Sequence, residues 1–561
     1  MHFDPASCLA RSADLRQAAE NTNRSAIYLH RTMRRPLILN GFMASGKSTV
    51  GALVAQRAER PFIDLDRAIE LEAGQSVETL FATGGEAAFR SLERAHLTRI
   101  FDRAPSGEHA PVIAVGGGAL LPRDLRLRAL DECVVVTLQG SPAELSRRAL
   151  AQGPRPLLSG GHPEQRAAEL LALRATSYAE AHARISCEAS VAAVATQVLE
   201  AWARDEVAVA AGEASYGVQV GSNFASGRIG ALAAQSPVSV LVSDKTVAAL
   251  HAAGIERALS VAGTRVVRVD LEPGEAHKNI AAIDSIWRAA LAGSVDRQAT
   301  FVALGGGVVT DMTGFAAATW MRGVRWLGIP TTLLAMVDAS VGGKTGVDLD
   351  SAKNAVGAFW QPSAVLCDVH YLSTEPTRGF VSALAEVVKT ALVGDSGLFE
   401  LLESHAERIA HRDLELTAEL VRRSVRVKAR IVSFDERESG LRAVLNLGHT
   451  VGHALEAQAG YTALTHGEAV SLGLVAALRL GERLGQTPPA LTERTLRLLQ
   501  RLGLPATLSG QPLVAAAGLI GHDKKRAGSA VRLVVARNVG QVETLPIPLA
   551  ELQEHVRALA E

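Results

Sequence analysis

The chain has 561 residues, more than one ordinary hydrophobic core supports, so at least two domains are expected. Lysine plus arginine and aspartate plus glutamate balance at 58 each, which gives no electrostatic support to a nucleic-acid or anionic-membrane partner. Although 48% of the residues are hydrophobic, no uninterrupted apolar run reaches the roughly 18 residues of a membrane span. Cys8, Cys133, Cys187 and Cys367 form no CxxC pair, which suits a reducing cytoplasm.

Residues 1–33 carry no functional signal. Asp4, Asp14 and Glu20 argue against a transit peptide, and the apolar core of a secretory signal is missing. A disordered extension, or a start at Met33, is as much to be expected as any function for this segment.

Chemistry begins at RPLILNGFMASGKSTVGALVAQRA. Gly41 to Ser48 fits GxxxxGKS, with an apolar strand before it and a helical pattern after it. Amides from Gly41 to Gly46 would cradle a β-phosphate, Lys47 would reach the β/γ oxygens, and Ser48, with Thr49 beside it, would hold nucleotide-bound Mg2+. PFIDLDRAIE places Asp64 and Asp66 on alternate positions of an expected strand end, one toward the metal and one toward an acceptor. GGEAAFRSLE adds Arg90, VIAVGGGAL adds Gly116, Gly117 and Gly118, PRPLL adds Arg155 and LALRATSYAE adds Arg174. Arginines converging on a small pocket point to an anionic acceptor, although single arginines are usually solvated.

These motifs resemble shikimate kinase from about Arg35 to Trp202. The resemblance implies a P-loop kinase domain over 34–204 with a five-stranded parallel sheet. It also implies that Asp66, Arg90, Arg174 and the Gly116–Gly118 turn hold shikimate, and that Asp64 positions Mg2+ through water. Arg155 would close over the transferring phosphoryl group from a lid, and Arg148 would lie near adenine. Asp66 is then the natural proton acceptor for the attacking hydroxyl, since phosphoryl transfer needs mainly alignment and charge stabilisation. Residues 205–215, Ala- and Gly-rich, read as a linker.

In the remaining chain, TFVALGGGVVTDMTGF ends a buried-strand run in Gly305, Gly306 and Gly307 and passes into a helical pattern, a turn that lets backbone amides approach a pyrophosphate. IPTTLLAMVDASVGGKTGV brings Asp338 and Lys344, SAKNAVGAFWQP brings Lys353 and Asn354, and ALAEVVKTAL puts Glu386 and Lys389 on one helical face. Apolar neighbours would bury Glu386, which is costly unless a cation accompanies it. LNLGHTVGHALEAQAGYTALTH then gathers His449, His453 and His466. Spacing alone pairs His449 with His453 as ligands, four apart on a helix.

The series PGEAHK, LGGGVVTDMTGF, PTTLLAMVDASVGGKTGV, AEVVK, LNLGHTVGHALE and THGEAV resembles 3-dehydroquinate synthase from about Tyr216 to the C-terminus. The resemblance implies a catalytic divalent metal, zinc or another such as Co2+, held by Glu386, His449 and His466 with a position left open. His453 becomes a substrate-facing residue, and the family reading is preferred over simple spacing. Asp244, Glu275, Lys278, Gly305 to Gly307, Asp311, Thr331, Thr332, Lys344, Lys353 and Thr374 would surround NAD. Asp338, Lys344, Asn354, Lys389, Lys428, Arg442, Asn446, His453 and Lys524 would face 3-deoxy-D-arabino-heptulosonate 7-phosphate, with Arg322 supplied across a homodimer interface. The implied reaction oxidises the substrate transiently, eliminates phosphate, returns the hydride and closes the ring by an aldol step, so NAD is not consumed. Glu375 departs from the pattern, because an apolar residue is expected there.

The expected architecture of this half is a Rossmann-like α/β NAD-binding part over 216–372 and a mostly helical metal- and substrate-binding part over 373–561. Three rivals stay open: another sugar-phosphate cyclase, a ligand-sensing kinase-like module without catalysis, and a gluconate-type kinase.

Overall fold

The computed structural model describes residues 33–151, 158, 162–350, 352–438, 440–460, 463–520 and 530–560. The extension before Met33, Arg155 and Lys524 therefore lie outside the described residues. The chain separates into two units, Met1–Ser215 and Tyr216–Glu561.

In the first unit, β1 (Leu37–Gly41), β2 (Phe62–Asp64), β3 (Val112–Ala114), β4 (Val134–Gln139) and β5 (Ala183–Ser186) form a five-stranded sheet in the order β2-β3-β1-β4-β5, with parallel pairings throughout. All of β1 is buried, as the apolar Leu37, Ile38 and Leu39 require when helices cover both faces, and its polar Asn40 donates to Thr137 on β4. Strand order reverses around β1, and the loop after it lies at the carboxyl end, where open α/β sheets bind ligands. Helix Lys47–Ala58 starts there, with Gly46 as N-cap in the left-handed region (φ 89°) and no side chain capping its first amides.

Residues 205–215 differ from a free linker. They contain a short strand, β6 (Val207–Val209), and are bonded to the first unit: Arg35 binds Asp205 at 2.7 Å and the Glu206 carbonyl at 2.8 Å, and Gly212 N–H donates to Glu180. Ala208 and Ala210 are buried in that unit's core, so the Ala-rich composition reflects close packing rather than mobility.

The second unit opens with parallel strands ordered β7-β14-β11-β10-β8-β9: β7 (Tyr216–Gly221), β8 (Val238–Asp244), β9 (Arg265–Leu271), β10 (Thr300–Gly305), β11 (Arg325–Pro330) and β14 (Ala364–Asp368). Sequence order reverses at β8 and β10, so Gly305 ends its strand at a ligand-binding position. An antiparallel hairpin, β12 (Lys344–Leu349) with β13 (Ala352–Phe359), precedes β14.

From helix Thr377–Gly394 onward the unit is mostly helical, as expected, with one addition: a hairpin of β15 (Ala530–Asn538) and β16 (Gln541–Pro548). Helix Thr377–Gly394 is buried on nearly every side, which explains its almost continuous apolar sequence. Helices His449–Gln458 and His466–Arg483 approach so closely that a Cβ at Gly473 would meet the Gly448 carbonyl at 2.0 Å; glycine at this crossing lets the two histidine-bearing helices touch.

Candidate active sites

The first site lies at the carboxyl ends of β1, β2 and β3. Lys47 is half-buried, but its ammonium turns inward to donate to the carbonyls of Gly41 (2.9 Å) and Phe42 (2.8 Å). Burial draws its pKa down to about 8 against the pull of Asp66 and Asp64. Ser48 and Thr49 stand exposed in the first helical turn, where free amides and side chains face solvent.

Asp64 and Asp66 do not sit on one strand end. β2 stops at Asp64, whose carboxylate caps the next helix by accepting from Arg67 N–H at 3.3 Å, and Asp66 lies in that helix's first turn. The cap ends the pleat, so helical geometry rather than strand alternation separates the two carboxylates. Burial raises the pKa of Asp66, and its Oδ1 is buried without a hydrogen-bond partner.

Arg90 ion-pairs with Glu93 at 2.6 Å and Glu86 at 3.0 Å, and Gly118 passes so near that a Cβ there would meet the guanidinium carbon at 2.4 Å. At Gly116 a Cβ would meet Glu93 and Asp66 at 2.2 and 3.0 Å. Arg174 is buried, donating to the Gly117 carbonyl at 3.4 Å, and Tyr178 reaches the same carbonyl at 2.7 Å. A cavity of about 210 Å³ opens beside this cluster, lined by Arg90, Glu93, Gly118 and Leu125 among others. The structure thus gathers Asp66, Arg90, Gly116–Gly118 and Arg174. Sequence reasoning missed Glu93, although it stands three residues after Arg90 and so on the same helical face. Burial raises its pKa, and one of its oxygens has no partner. Arg148 binds Glu144 at 2.5 Å and the Cys187 carbonyl at 3.0 Å, away from this cluster's bonds.

In the second unit, Gly306 caps helix Gly307–Thr319 without a side chain over its first amides, an arrangement that suits a pyrophosphate. Thr331 follows β11, its N–H bonded to the Gly305 carbonyl and its buried hydroxyl without a partner, and Thr332 caps Ala335. Lys278 is buried between Asp311 (2.6 Å) and Asn354, which joins a residue expected at the cofactor to one expected at the substrate. Burial lifts the Asp311 carboxyl to about 6 despite Lys278. Asp244 caps its following turn by accepting from Thr246 and Val247, Glu275 is exposed on a single turn, and Thr374 bonds His251 at 2.8 Å.

Buried Glu375 accepts from Leu333 N–H at 3.0 Å, so the unexpected carboxylate caps the helical turn beginning there. Burial pushes its pKa up to about 7, against the Leu333 N–H and Arg412.

Asp338 lies on a π-helical turn, Ala335–Ala339, a form frequent at functional sites. Lys428 reaches it at 2.6 Å and holds its carboxyl below the ordinary value against burial, while burial holds Lys428 itself down. Glu386 is 1% exposed and ion-pairs with Lys389 three residues on, and His449 Nε2 and His466 Nε2 each lie 3.4 Å from its Oε1. Candidate ligand atoms of Glu386, His449 and His466 all fall within 4.8 Å of one another, a donor set that fits a catalytic divalent metal. His453, paired with His449 by spacing, instead joins Glu456 and His466 in a second such group. Arg442 is buried with its guanidinium on the carbonyls of Glu436 and Gly342. Lys344 pairs with Glu438, whose carboxyl Lys344 and Asn446 hold low against burial. Arg322 is exposed, with a left-handed backbone (φ 66°). Glu438 and Glu456 were missed in the sequence; Glu456 could have been found as the residue seven after His449 and three after His453.

Family models match in the same order as these sites. Shikimate kinase matches residues 43–203, 3-dehydroquinate synthase N-terminal matches 268–382, and 3-dehydroquinate synthase C-terminal matches 383–526. A 3-dehydroquinate synthase of Citrifermentans bemidjiense is 43% identical over 60% of this chain and 93% of its own length, and one of Halorhodospira halophila is 46% identical over 59% and 92%. Among solved structures, the 2-epi-5-epi-valiolone synthase ValA of Streptomyces hygroscopicus, with NAD+ and Zn2+ bound, is 27% identical, covering 62% of this chain and 96% of its own, with a TM-score of 0.57. The chain belongs to the 3-dehydroquinate synthase family and carries a shikimate kinase domain ahead of it. Both domains are enzymatic.

Proposed function

We propose that the first unit phosphorylates shikimate with ATP and Mg2+, and that the second converts 3-deoxy-D-arabino-heptulosonate 7-phosphate to 3-dehydroquinate and phosphate with NAD and a divalent metal, zinc by likeness to ValA. The observation that carries the synthase reading is the meeting of Glu386, His449 and His466 beside the Asp338–Lys428 and Glu386–Lys389 pairs. When bound, the metal supplies a Lewis acid and NAD a reversible hydride acceptor. Lys389, Lys428 and Arg442 furnish the positive charge that a carboxylate and a phosphate ester need, and Asp338 can take or return a proton next to them. In the kinase, Lys47 tracks the phosphoryl group and Arg90 with Arg174 orients the acceptor carboxylate so that Asp66 meets its hydroxyl.

The reading divides the chain into a kinase module over 34–204, residues 205–215, an NAD-binding part over 216–372 and a metal- and substrate-binding part over 373–561. It includes a homodimer through the synthase half, supported by Arg322 standing outward on a left-handed turn next to Met321, which is 45% exposed. A cytoplasmic location is part of it, supported by Cys133, Cys187 and Cys367 standing as buried free thiols. Among the described residues no helix is long and apolar enough to cross a membrane.

The deciding experiment supplies the purified chain with each substrate in turn. ADP formation dependent on shikimate, and phosphate release from the heptulosonate phosphate with no net NADH, are the expected results. Turnover of a sugar phosphate lacking a carboxylate at a comparable rate would replace the synthase reading with another cyclase.

A further inference from the structure

Glu456 is 7% exposed, and both of its oxygens are engaged. Oε2 faces His466 Nδ1 at 3.3 Å, and Oε1 accepts from Lys353 Nζ at 3.0 Å. The opposite ring nitrogen of His466, Nε2, faces Glu386 Oε1. A buried carboxylate on Nδ1 fixes which nitrogen carries the proton and leaves Nε2 as the electron-pair donor, the arrangement that orients histidine ligands around metals. Lys353 sits on β13 next to Asn354, and Asn354 contacts Lys278, which binds Asp311. One run of contacts therefore leads from a metal-facing histidine to the residues expected around the cofactor.

We infer that Glu456 is a positioning residue with two tasks: it holds His466 in its metal-binding orientation and, through Lys353, couples metal binding to cofactor binding. This rests on the metal and NAD reading above. A metal that immobilises His466 also immobilises Glu456, Lys353 and the adjoining stretch of β13, so NAD meets a pocket whose ordering is already done. Coupling of this kind is positive and reciprocal, on the order of fivefold to tenfold in affinity. A purely structural salt bridge would support the fold without any selective effect on either ligand.

A rival arrangement is visible in the same atoms. Candidate ligand atoms of His453, Glu456 and His466 also lie within 4.8 Å of one another, which would make Glu456 a ligand itself. Both carboxylates carry a lysine partner, so that pairing does not separate them; Glu386 is the more buried, 1% against 7% exposed, and receives both His449 and His466 on one oxygen, whereas the second group relies on His453, which is exposed.

The test uses the full-length chain, stripped by chelation. Zn2+ affinity is measured against a competing chelator, and NAD affinity is measured with and without Zn2+. Glu456→Ala should keep one Zn2+ per chain but bind it about 10- to 100-fold more weakly, with Glu456→Gln in between because its amide oxygen still accepts from Nδ1. The gain in NAD affinity on adding Zn2+ should vanish in Glu456→Ala and in Lys353→Met. Shikimate kinase activity of the same samples, unchanged, shows that the chain is intact. Zinc affinity within twofold of the parent in both Glu456 variants, or a preserved metal–NAD linkage in Lys353→Met, would overturn the inference. Complete loss of zinc in Glu456→Gln with retention in Glu386→Gln would make Glu456 a ligand and would refute the Glu386, His449 and His466 assignment as well. Retained zinc in all of these variants would leave that assignment as the error.

Discussion

Lys428 Nζ lies 2.6 Å from Asp338 Oδ1 and also donates to the backbone carbonyl of the same residue. The two come from a π-helical turn after β11 and from the middle of helix Leu414–Phe434, 90 positions apart in sequence. On the proposed function, such a pair would position Asp338 as an acid–base group by charge and by geometry together. Lys428→Met should therefore lower synthase kcat/KM on the order of 100-fold, while shikimate phosphorylation is unchanged. Lys428→Arg should not restore the rate, because the larger planar guanidinium cannot place a single nitrogen on both the backbone and the side-chain oxygen of Asp338 in the buried space that the ammonium fills. Full recovery with arginine would mean that only charge matters here.

The kinase site should fail independently. Lys47→Ala removes the ammonium that now rests on the Gly41 and Phe42 carbonyls and would follow the transferring phosphoryl group. We expect ATP-dependent phosphorylation of shikimate to fall about 1000-fold with dehydroquinate formation intact. A kinase rate near that of the parent would refute the phosphate-loop assignment.

Metal content separates helix spacing from tertiary proximity. His453→Ala should retain about one tightly bound metal per chain and lose turnover, whereas His466→Ala should empty the site. Metal analysis of the dialysed proteins gives the answer, and loss in His453→Ala with retention in Glu386→Ala would reverse the ligand set.

Glu375 makes the synthase half sensitive to pH. Its folded-state pKa of about 7 lies above the ordinary carboxylate value, so the native state binds the extra proton more tightly than the unfolded one. Its contribution is fully present below the unfolded pKa and is lost as pH rises from about 4.5 through 7. Glu375→Gln keeps an acceptor for Leu333 N–H without the charge, and should become more stable than the parent by about 3 kcal/mol once pH exceeds 7, with little difference near pH 4. Denaturant melts of the two proteins at several pH values measure this, and parallel curves across the range would show that Glu375 ionises without penalty.

Much of this protein was legible in the residues alone. The phosphate loop and the glycine run ending β10 are local devices, set by backbone conformation and by which amides a helix start leaves free, so a short motif specifies them. The two-enzyme order and the α/β class followed from the same motifs. Asp66 was misplaced for the opposite reason: whether a strand continues past Asp64 depends on a cap that competes with the pleat, and periodicity does not decide that competition.

What only the tertiary structure decided is the pairing of charges across long separations. Helical spacing alone favoured His449 with His453, whereas the resemblance named Glu386, His449 and His466; the latter three do come together, because glycines at 448 and 473 let two helices cross at contact distance. Glu93 and Glu456 carried only the signal of helical spacing to Arg90 and to His449 and His453, which a solvated glutamate shows as well, and Glu438 lies in a loop without a periodic signal. Burial made Glu93 a partner for Arg90 and Glu456 a partner for Lys353, because a carboxylate removed from water must find a cation or protonate, while Glu438 meets Lys344 at an exposed position. Sequence determined which chemistries the chain carries. The fold decided which of the candidate atoms come within reach of one another, because ligand sets and ion pairs depend on distances that no local spacing contains.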